Sequence, residues 1–380
     1  MKFTKRHFSK DIENLRIALV YDWLDSQGGA ERVLHVLAKM FPHADWYTSI
    51  VDAHHKAEFS PETSFLQKIP YFNSHRTLAL PLYPLAFESF NFTGYDLVIS
   101  ITSSFAKGII TKPETRHLCY MLTPTRFLWV TPDEYLSRPM QALIKPYITY
   151  LKKWDLQAAK RPDRFIAISQ TVSERIRMFY EESSDIVYPP FDYIYWERHL
   201  RSASFKRFSL PEGYYLIVSR LKKYKKVDLA IQAFNKISQS HLVIVGEGPE
   251  KAYLQSIAAG NIHFLGAVTD NELAYLYSHA KGFIMPQEED FGYTSLEAQV
   301  CSCPVIAYNK GGATETVQHL KTGYLFPEQT PESLLEALEN FSQHVYTIDH
   351  YLQLHGSDYI KQFSEDVFKK SFMNIIQSTS

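Results

Sequence analysis

The sequence predicts two doubly wound α/β domains, each built on a parallel sheet, facing each other across a cleft. Three observations lead there. From Tyr214 onward, short continuous apolar runs alternate with runs of helical spacing, the pattern of strands buried on both faces of a parallel sheet. The first half repeats this alternation less regularly. The chain has 380 residues, 45% hydrophobic and 21% charged, which is enough for two domains of ordinary size with cores of their own.

Taken in order, RIALVYD is a strand, and GGAERVLHVLAKM is a helix with glycine at its start. A long irregular stretch, Ala53–Asn91, follows. YDLVISIT, RHLCYML and DRFIAISQ are further strands, and TVSERIRMFYEE is a helix. YPPFD at 188–192 and the polar, basic run to Pro211 read as a linker. This places an N-terminal domain at 1–192 and a C-terminal domain at 193–359. In the second domain the strands are YYLIVS, HLVIVG, IHFLGAV, GFIMP, PVIAY and YLF. The helices between them include PEKAYLQSIAA, opened by Pro249, and TDNELAYLYSHA, opened by a Thr/Asp cap. The last helical segment, SEDVFKKSFMNIIQ within about 360–380, is expected to pack back on the first domain, as in similar folds.

Composition narrows the function. A formal net charge of −1 gives no reason to expect nucleic acid as a partner. The three cysteines, Cys119, Cys301 and Cys303, lack metal-ligand spacing and fit a reducing compartment. The start, MKFTKRHFSKDIENL, has no apolar core of a secretory signal, and no run of about 18 apolar residues occurs. A soluble cytoplasmic protein is the expectation.

In open parallel sheets, ligands sit outside the carboxyl ends of the strands. The loops after RIALVYD, RHLCYML, YYLIVS, HLVIVG and GFIMP are therefore the places to look. After the first strand, Gly28 and Gly29 precede a helix. Bare amides at a helix start suit a phosphate, and a plain connecting turn explains the glycines equally well. GEGPEK at 246–251 lacks the third glycine of a dinucleotide fingerprint, which disfavours a dehydrogenase. In SRLKKYKK, Arg220 and Lys225 follow a strand directly, where they would point at a ligand. Arg forks onto two phosphate oxygens and Lys supplies a compact charge. Lys222, Lys223 and Lys226 read as solvated.

The densest signal is EEDFGYTSLE, 288–297. Glu289 and Glu297 bracket Phe291 and Gly292 at the end of a buried strand. Thr294-x-x-Glu297 has capping-box spacing, a purely structural reading of Glu297. A solvated loop acid is the bland reading of Glu289. The functional reading is that carboxylates accept hydrogen bonds from sugar hydroxyls, while the amides of Gly292, Tyr293 and Thr294 meet a phosphate. IHFLGAV, which ends at Val268, offers backbone groups to a base. Hydroxyl acceptors beside phosphate donors describe a site for a sugar nucleotide.

With these residues in place, the sequence resembles family 4 of the retaining glycosyltransferases, of GT-B fold. The motifs are Arg220-x4-Lys225, Glu289-x7-Glu297 and PVIAYNKGGATETV, in that order. The likeness is strong from Tyr214 to about Phe326. It is weaker in the first half, carried by GGAERVL, YDLVIS, FIAISQTVSERIRMFY and VYPPFD. Within the family the chain is most similar to bacterial mannosyltransferases of surface polysaccharides such as lipopolysaccharide O-antigen. These often carry EEDFG and a segment like Thr123-Pro124-Thr125-Arg126-Phe127-Leu128-Trp129.

The resemblance implies roles. Glu289 holds donor-sugar hydroxyls and Glu297 the ribose. Arg220 and Lys225 neutralise the leaving diphosphate, with Gly28 and Gly29 approaching it from the other domain. Arg126 and Leu122 lie on the acceptor side. No cofactor or metal is implied, because the cationic pair does the electrostatic work of a divalent ion. The favoured donor is GDP-mannose and the implied acceptor a lipid-linked glycan. The acceptor arrives on the face the phosphate leaves. One departure stands out: the family often has His before Thr-Pro, and here that residue is Leu122. Two alternatives stay open, a sugar-nucleotide epimerase or other enzyme of the same architecture, and a non-catalytic binder of nucleotide sugars. The apolar stretch 75–92 packs inside the first domain on the simpler reading. On the other it touches a bilayer, with His75 and Arg76 near headgroups and the basic N-terminus assisting.

Overall fold

The computed structural model describes residues 14–25, 28–69, 71–72, 76–130, 138–205 and 210–378. The chain divides into two compact units, Met1–Pro190 with Phe368–Ser380, and Phe191–Val367.

The first unit holds seven parallel strands: β1 (Ile17–Tyr21), β2 (Asp45–Thr48), β3 (Glu62–Thr63), β4 (Leu97–Thr102), β5 (Arg116–Met121), β6 (Arg164–Ala167) and β7 (Ser184–Ile186). Their order is β3-β2-β1-β4-β5-β6-β7. β4 is buried at every position, which explains its uninterrupted reading, LVISIT. The helix Gly29–Met40 lays Val33, Leu34, Val36 and Leu37 into the core. The stretch 75–92 was expected mainly inside, and Tyr83, Ala86, Phe87, Phe90 and Phe92 are indeed buried there. Leu78 and Leu85 face outward, 54% and 57% exposed. His75 and the basic residues before Asn14 lie outside the described residues, and only the backbone of Arg76 is described.

Two ordered elements lie in stretches assigned no element from the sequence. β2, DWYT, is too short and polar to announce itself. The helix Arg138–Ala158 runs 21 residues through an internal proline, Pro146. A correction concerns the expected linker, 188–211, part of which is the helix Tyr193–Arg201. Asp192 caps it by accepting from the Tyr195 amide at 2.9 Å. Trp196 buries its ring against Tyr277, with centroids 6.1 Å apart, so one aromatic residue recruits a polar run into the second unit. The last helix, Glu365–Ser378, sets Phe368 and Phe372 against Tyr120 of β5.

The second unit holds six parallel strands: β8 (Tyr215–Val218), β9 (Leu242–Val245), β10 (Ile262–Gly266), β11 (Gly282–Met285), β12 (Val305–Tyr308) and β13 (Gly323–Phe326). Their order is β10-β9-β8-β11-β12-β13. The chain starts in the middle, builds one flank through β10, then crosses back and builds the other from β11. The direction reverses between β8 and β11, and a crevice for ligands opens at such a reversal. Ile217, Ile244, Ile284 and Ile306 come from four adjacent strands, and Phe234 and Phe341 from helices packed on them. Each such side chain contributes roughly 1.5–3 kcal/mol when buried. The expected cap of the helix Asp270–His279 is a full capping box between Thr269 and Glu272. Among the described residues, no helix is long and apolar enough to cross a membrane.

Candidate functional site

The loops that leave β8 and β11 flank the reversal point of the second sheet, and each is held by its neighbour. Ser219 N donates to Val245 O at 3.0 Å and Leu221 N to Glu247 O at 2.9 Å, so the GEG segment fixes the loop carrying Arg220. On the other side, Gly312 N donates to Glu289 O at 2.8 Å. A side chain at position 312 has no room, because its Cβ would lie 2.2 Å from Phe291 O. The NKGG segment after β12 thus presses directly on the acidic loop.

These loops bring Lys225 and Glu289 together. Lys225 Nζ donates to Glu289 Oε1 in an ion pair whose side chains are 13% and 16% exposed. Gln287 Nε2 donates to the same oxygen at 2.9 Å. The Lys225 ammonium also stands 5.1 Å from the ring centre of Tyr224. Lys225 ends a short 3-10 turn, Lys223–Lys225, and Arg220 is exposed on the same loop. Glu288 turns to Lys310, 3.3 Å away. Val268, half-buried, follows β10.

The capping box expected at Thr294 and Glu297 does not form. The helix Tyr293–Val300 is capped by Gly292 in the left-handed region at φ +94°, so Thr294 is already its second residue. Glu297 instead lies in the helix interior and is buried. Tyr277 OH donates to its Oε2 at 3.4 Å. Burial, reinforced by the Glu297 charge, raises the Tyr277 phenol well above its ordinary range. Ser295 Oγ donates to Gly292 O at 2.7 Å, and Phe291 is buried against Tyr293 and Phe363. Thr294 is half-buried.

The remaining candidates belong to the first unit. Gly28 and Gly29 do open a helix, with Gly28 as its cap. The Gly28 amide is engaged, donating to Glu31 Oε2 at 2.9 Å. Glu31 Oε1 in turn meets His55 Nε2 at 2.5 Å, and His55 Nδ1 lies 2.8 Å from Asp52. Burial alone would lower the His55 pKa, but the two carboxylates outweigh it and the net shift is upward. Leu122 is half-buried just past β5, and its amide donates to Thr102 O at 2.8 Å. Arg126, also half-buried, starts the four-residue helix Arg126–Trp129.

Two buried carboxylates beneath these loops had no visible sequence signal. Asp22 accepts from the amides of Ser103, Phe105 and Ala106 at 2.7–2.8 Å and from Thr102 Oγ1 at 2.9 Å, tying the end of β1 to the loop after β4. Asp155 is paired with Lys107 at 2.5 Å, both fully buried. It also accepts from Thr125, Trp129 and Tyr180 at 2.8–3.0 Å. The Thr-Pro-x-Arg-x-x-Trp segment is therefore pinned at both ends of its short helix by one buried acid. Among the described residues, no three His, Cys, Asp or Glu side chains are grouped to hold a metal ion.

A Lys–Glu pair thus flanks the second unit's reversal point, and comparison with known proteins shows what the chain is similar to. Residues 202–344, within the second unit, match the family described as glycosyl transferases group 1. Two curated relatives are similar. N-acetyl-alpha-D-glucosaminyl L-malate synthase of Bacillus anthracis is 29% identical over 44% of this chain and 46% of its own length. GDP-mannose-dependent alpha-(1-6)-phosphatidylinositol monomannoside mannosyltransferase of Mycobacterium tuberculosis is 34% identical over 35% of this chain and 39% of its own. The chain thus spans less than half the length of either. Among solved structures, Anabaena HepE in complex with UDP and glucose superposes with TM-score 0.68 at 20% identity, covering 96% of this chain and all of that one. The architecture is that of the GT-B glycosyltransferases, two parallel-sheet α/β domains of seven and six strands.

Proposed function

We propose that the protein is a retaining glycosyltransferase that moves a hexose, mannose from GDP-mannose in the first instance, to a lipid-linked or growing surface glycan. The observation that carries this reading is the Lys225–Glu289 pair on the two loops that flank the sheet's reversal point. A cation beside a hydroxyl acceptor suits a ligand with a diphosphate at one end and a sugar at the other. Support for mannose comes from the EEDFG motif and the mycobacterial relative. The Bacillus relative, whose name carries a different sugar, keeps the donor a matter for experiment.

In this reading Glu289 accepts hydrogen bonds from donor-sugar hydroxyls. Arg220 and Lys225 offset the charge that grows on the diphosphate as the bond from sugar C1 to phosphate oxygen breaks. The acceptor oxygen bonds to C1 on the same face, and its proton passes to the departing phosphate oxygen. Glu297 accepts from the ribose hydroxyls on acceptor sites beside the one that Tyr277 OH occupies. The side chains that carry the charge belong to the chain itself, so the mechanism is metal-independent. Leu78 and Leu85, exposed on the first unit, would meet a bilayer holding a lipid-linked acceptor at its cytoplasmic face.

The test is turnover. Purified protein with GDP-mannose, UDP-glucose or UDP-N-acetylglucosamine should release nucleoside diphosphate when membranes bearing lipid-linked glycans are added, and Glu289→Gln should abolish the release. An epimerase would interconvert the nucleotide sugar without acceptor. Tight donor binding with no turnover on any membrane would make the protein a non-catalytic binder.

A further inference from the structure

Glu289 Oε1 carries two donors of different kinds. One is the ammonium of Lys225, which arrives from the loop after β8. The other is the amide of Gln287, two residues upstream on the same loop as Glu289, at 2.9 Å. Gln287 is 3% exposed, so its side chain is held in place by what surrounds it. The Glu289 backbone is fixed independently, through Gly312 N to Glu289 O and the bridge between Glu289 and Gly311. Chain position and side-chain orientation of Glu289 are thus set by separate contacts.

The two donors differ in what a bound donor molecule would do to them. A diphosphate attracts the Lys225 ammonium, which has a single charge to share between the phosphates and Glu289. The Gln287 amide is neutral and has no such competing attraction. If Lys225 turns toward the phosphates, Oε1 loses charge compensation at the moment the carboxylate must point at sugar hydroxyls. The amide then keeps the carboxylate aimed.

Resting on the transferase reading, we propose that Gln287 is a positioning residue for Glu289, holding the carboxylate on the donor sugar when Lys225 moves to the diphosphate. The proposal makes Gln287 matter for the sugar and not for the nucleotide. Lys225, in contrast, matters for both.

Calorimetric titration separates these roles. GDP, UDP and ADP are titrated into wild-type protein alongside GDP-mannose, UDP-glucose and ADP-glucose, and the base that binds is carried into the variants. Gln287→Met keeps volume and removes the donor; Gln287→Ala is a second variant in case methionine packs badly. Both should bind the nucleoside diphosphate within about twofold of wild type and the nucleotide sugar about tenfold more weakly, the loss expected of a charge-assisted hydrogen bond. Lys225→Met should weaken both ligands. If the Gln287 variants bind the nucleotide sugar as wild type does, or lose both ligands equally, Gln287 has no positioning role. Should wild type bind none of the six, the transferase reading fails and this proposal with it.

Discussion

His117 illustrates how a single side chain sets an acid limit on the first unit. Its ring is fully buried, with Nε2 2.8 Å from Ser100 Oγ and Nδ1 without a hydrogen-bond partner among the described residues. Burial, helped by the Arg161 charge, pushes its pKa from 6.5 down to about 3. The folded-state value is depressed, so the stabilising contribution is present above the unfolded value and is lost as pH falls from there toward the folded one. Between neutral pH and about pH 5 the loss amounts to about 2 kcal/mol. Urea unfolding at both pH values should show His117→Gln losing less than wild type by about that amount. Equal losses would contradict the assignment. The same scale explains which site residues were legible. Glu289 closely follows a buried apolar run, where a charge is conspicuous, whereas Lys225 stands in a run of lysines and was legible only through its spacing from Arg220 in the family resemblance. Gln287 is a neutral amide in a loop and has no pattern to announce it. Glu297 was ambiguous because Thr-x-x-Glu spells both a cap and an interior acid. The positive φ of Gly292, which decides between them, depends on the packing of the loop.

At the scale of elements, the site depends on loops that brace one another. Gly312→Ala would drive a methyl group into the Phe291 carbonyl, so the acidic loop must shift. Overpacking of this kind costs about 1–3 kcal/mol. The expected result is a modest fall in melting temperature with donor affinity reduced by about tenfold or more, read by calorimetry. Unchanged affinity would mean that the NKGG segment does not set the position of Glu289. In the first unit the short helix Arg126–Trp129 depends on Asp155. Asp155→Ala leaves Lys107 buried without its charge partner, a loss of about 3–5 kcal/mol, measurable by denaturant unfolding. A change under about 1 kcal/mol would mean that Lys107 finds another partner. Elements with long apolar or helical periodicity, such as β4 and the helix Gly29–Met40, were readable. β2 and β3 are four and two residues long; β2 gains its order by pairing with β1 and β3 by pairing with β2, which no local pattern records. The helix Tyr193–Arg201 was hidden because Trp196 is its one buried residue.

Across the whole molecule, one design is used twice. Each sheet begins near its middle, at β1 or β8, builds one flank, and then reverses to build the other from β4 or β11. The alternation of apolar and amphipathic runs made this legible, since parallel strands must be buried on both faces. The chain's return to the first unit at Phe368 was reached only by analogy, because no local signal in the final helix says which sheet its phenylalanines will meet. The central claim is that the second sheet's reversal point binds a nucleotide sugar through Lys225. Thermal unfolding of wild type and Lys225→Ala with GDP-, UDP- and ADP-hexoses tests it most directly. At about a hundred times the dissociation constant, one nucleotide class should stabilise wild type by about 3 kcal/mol, raising the melting temperature by about 5 °C or more. The variant should gain little. No shift with any of these ligands, or an equal shift in wild type and Lys225→Ala, would contradict the account.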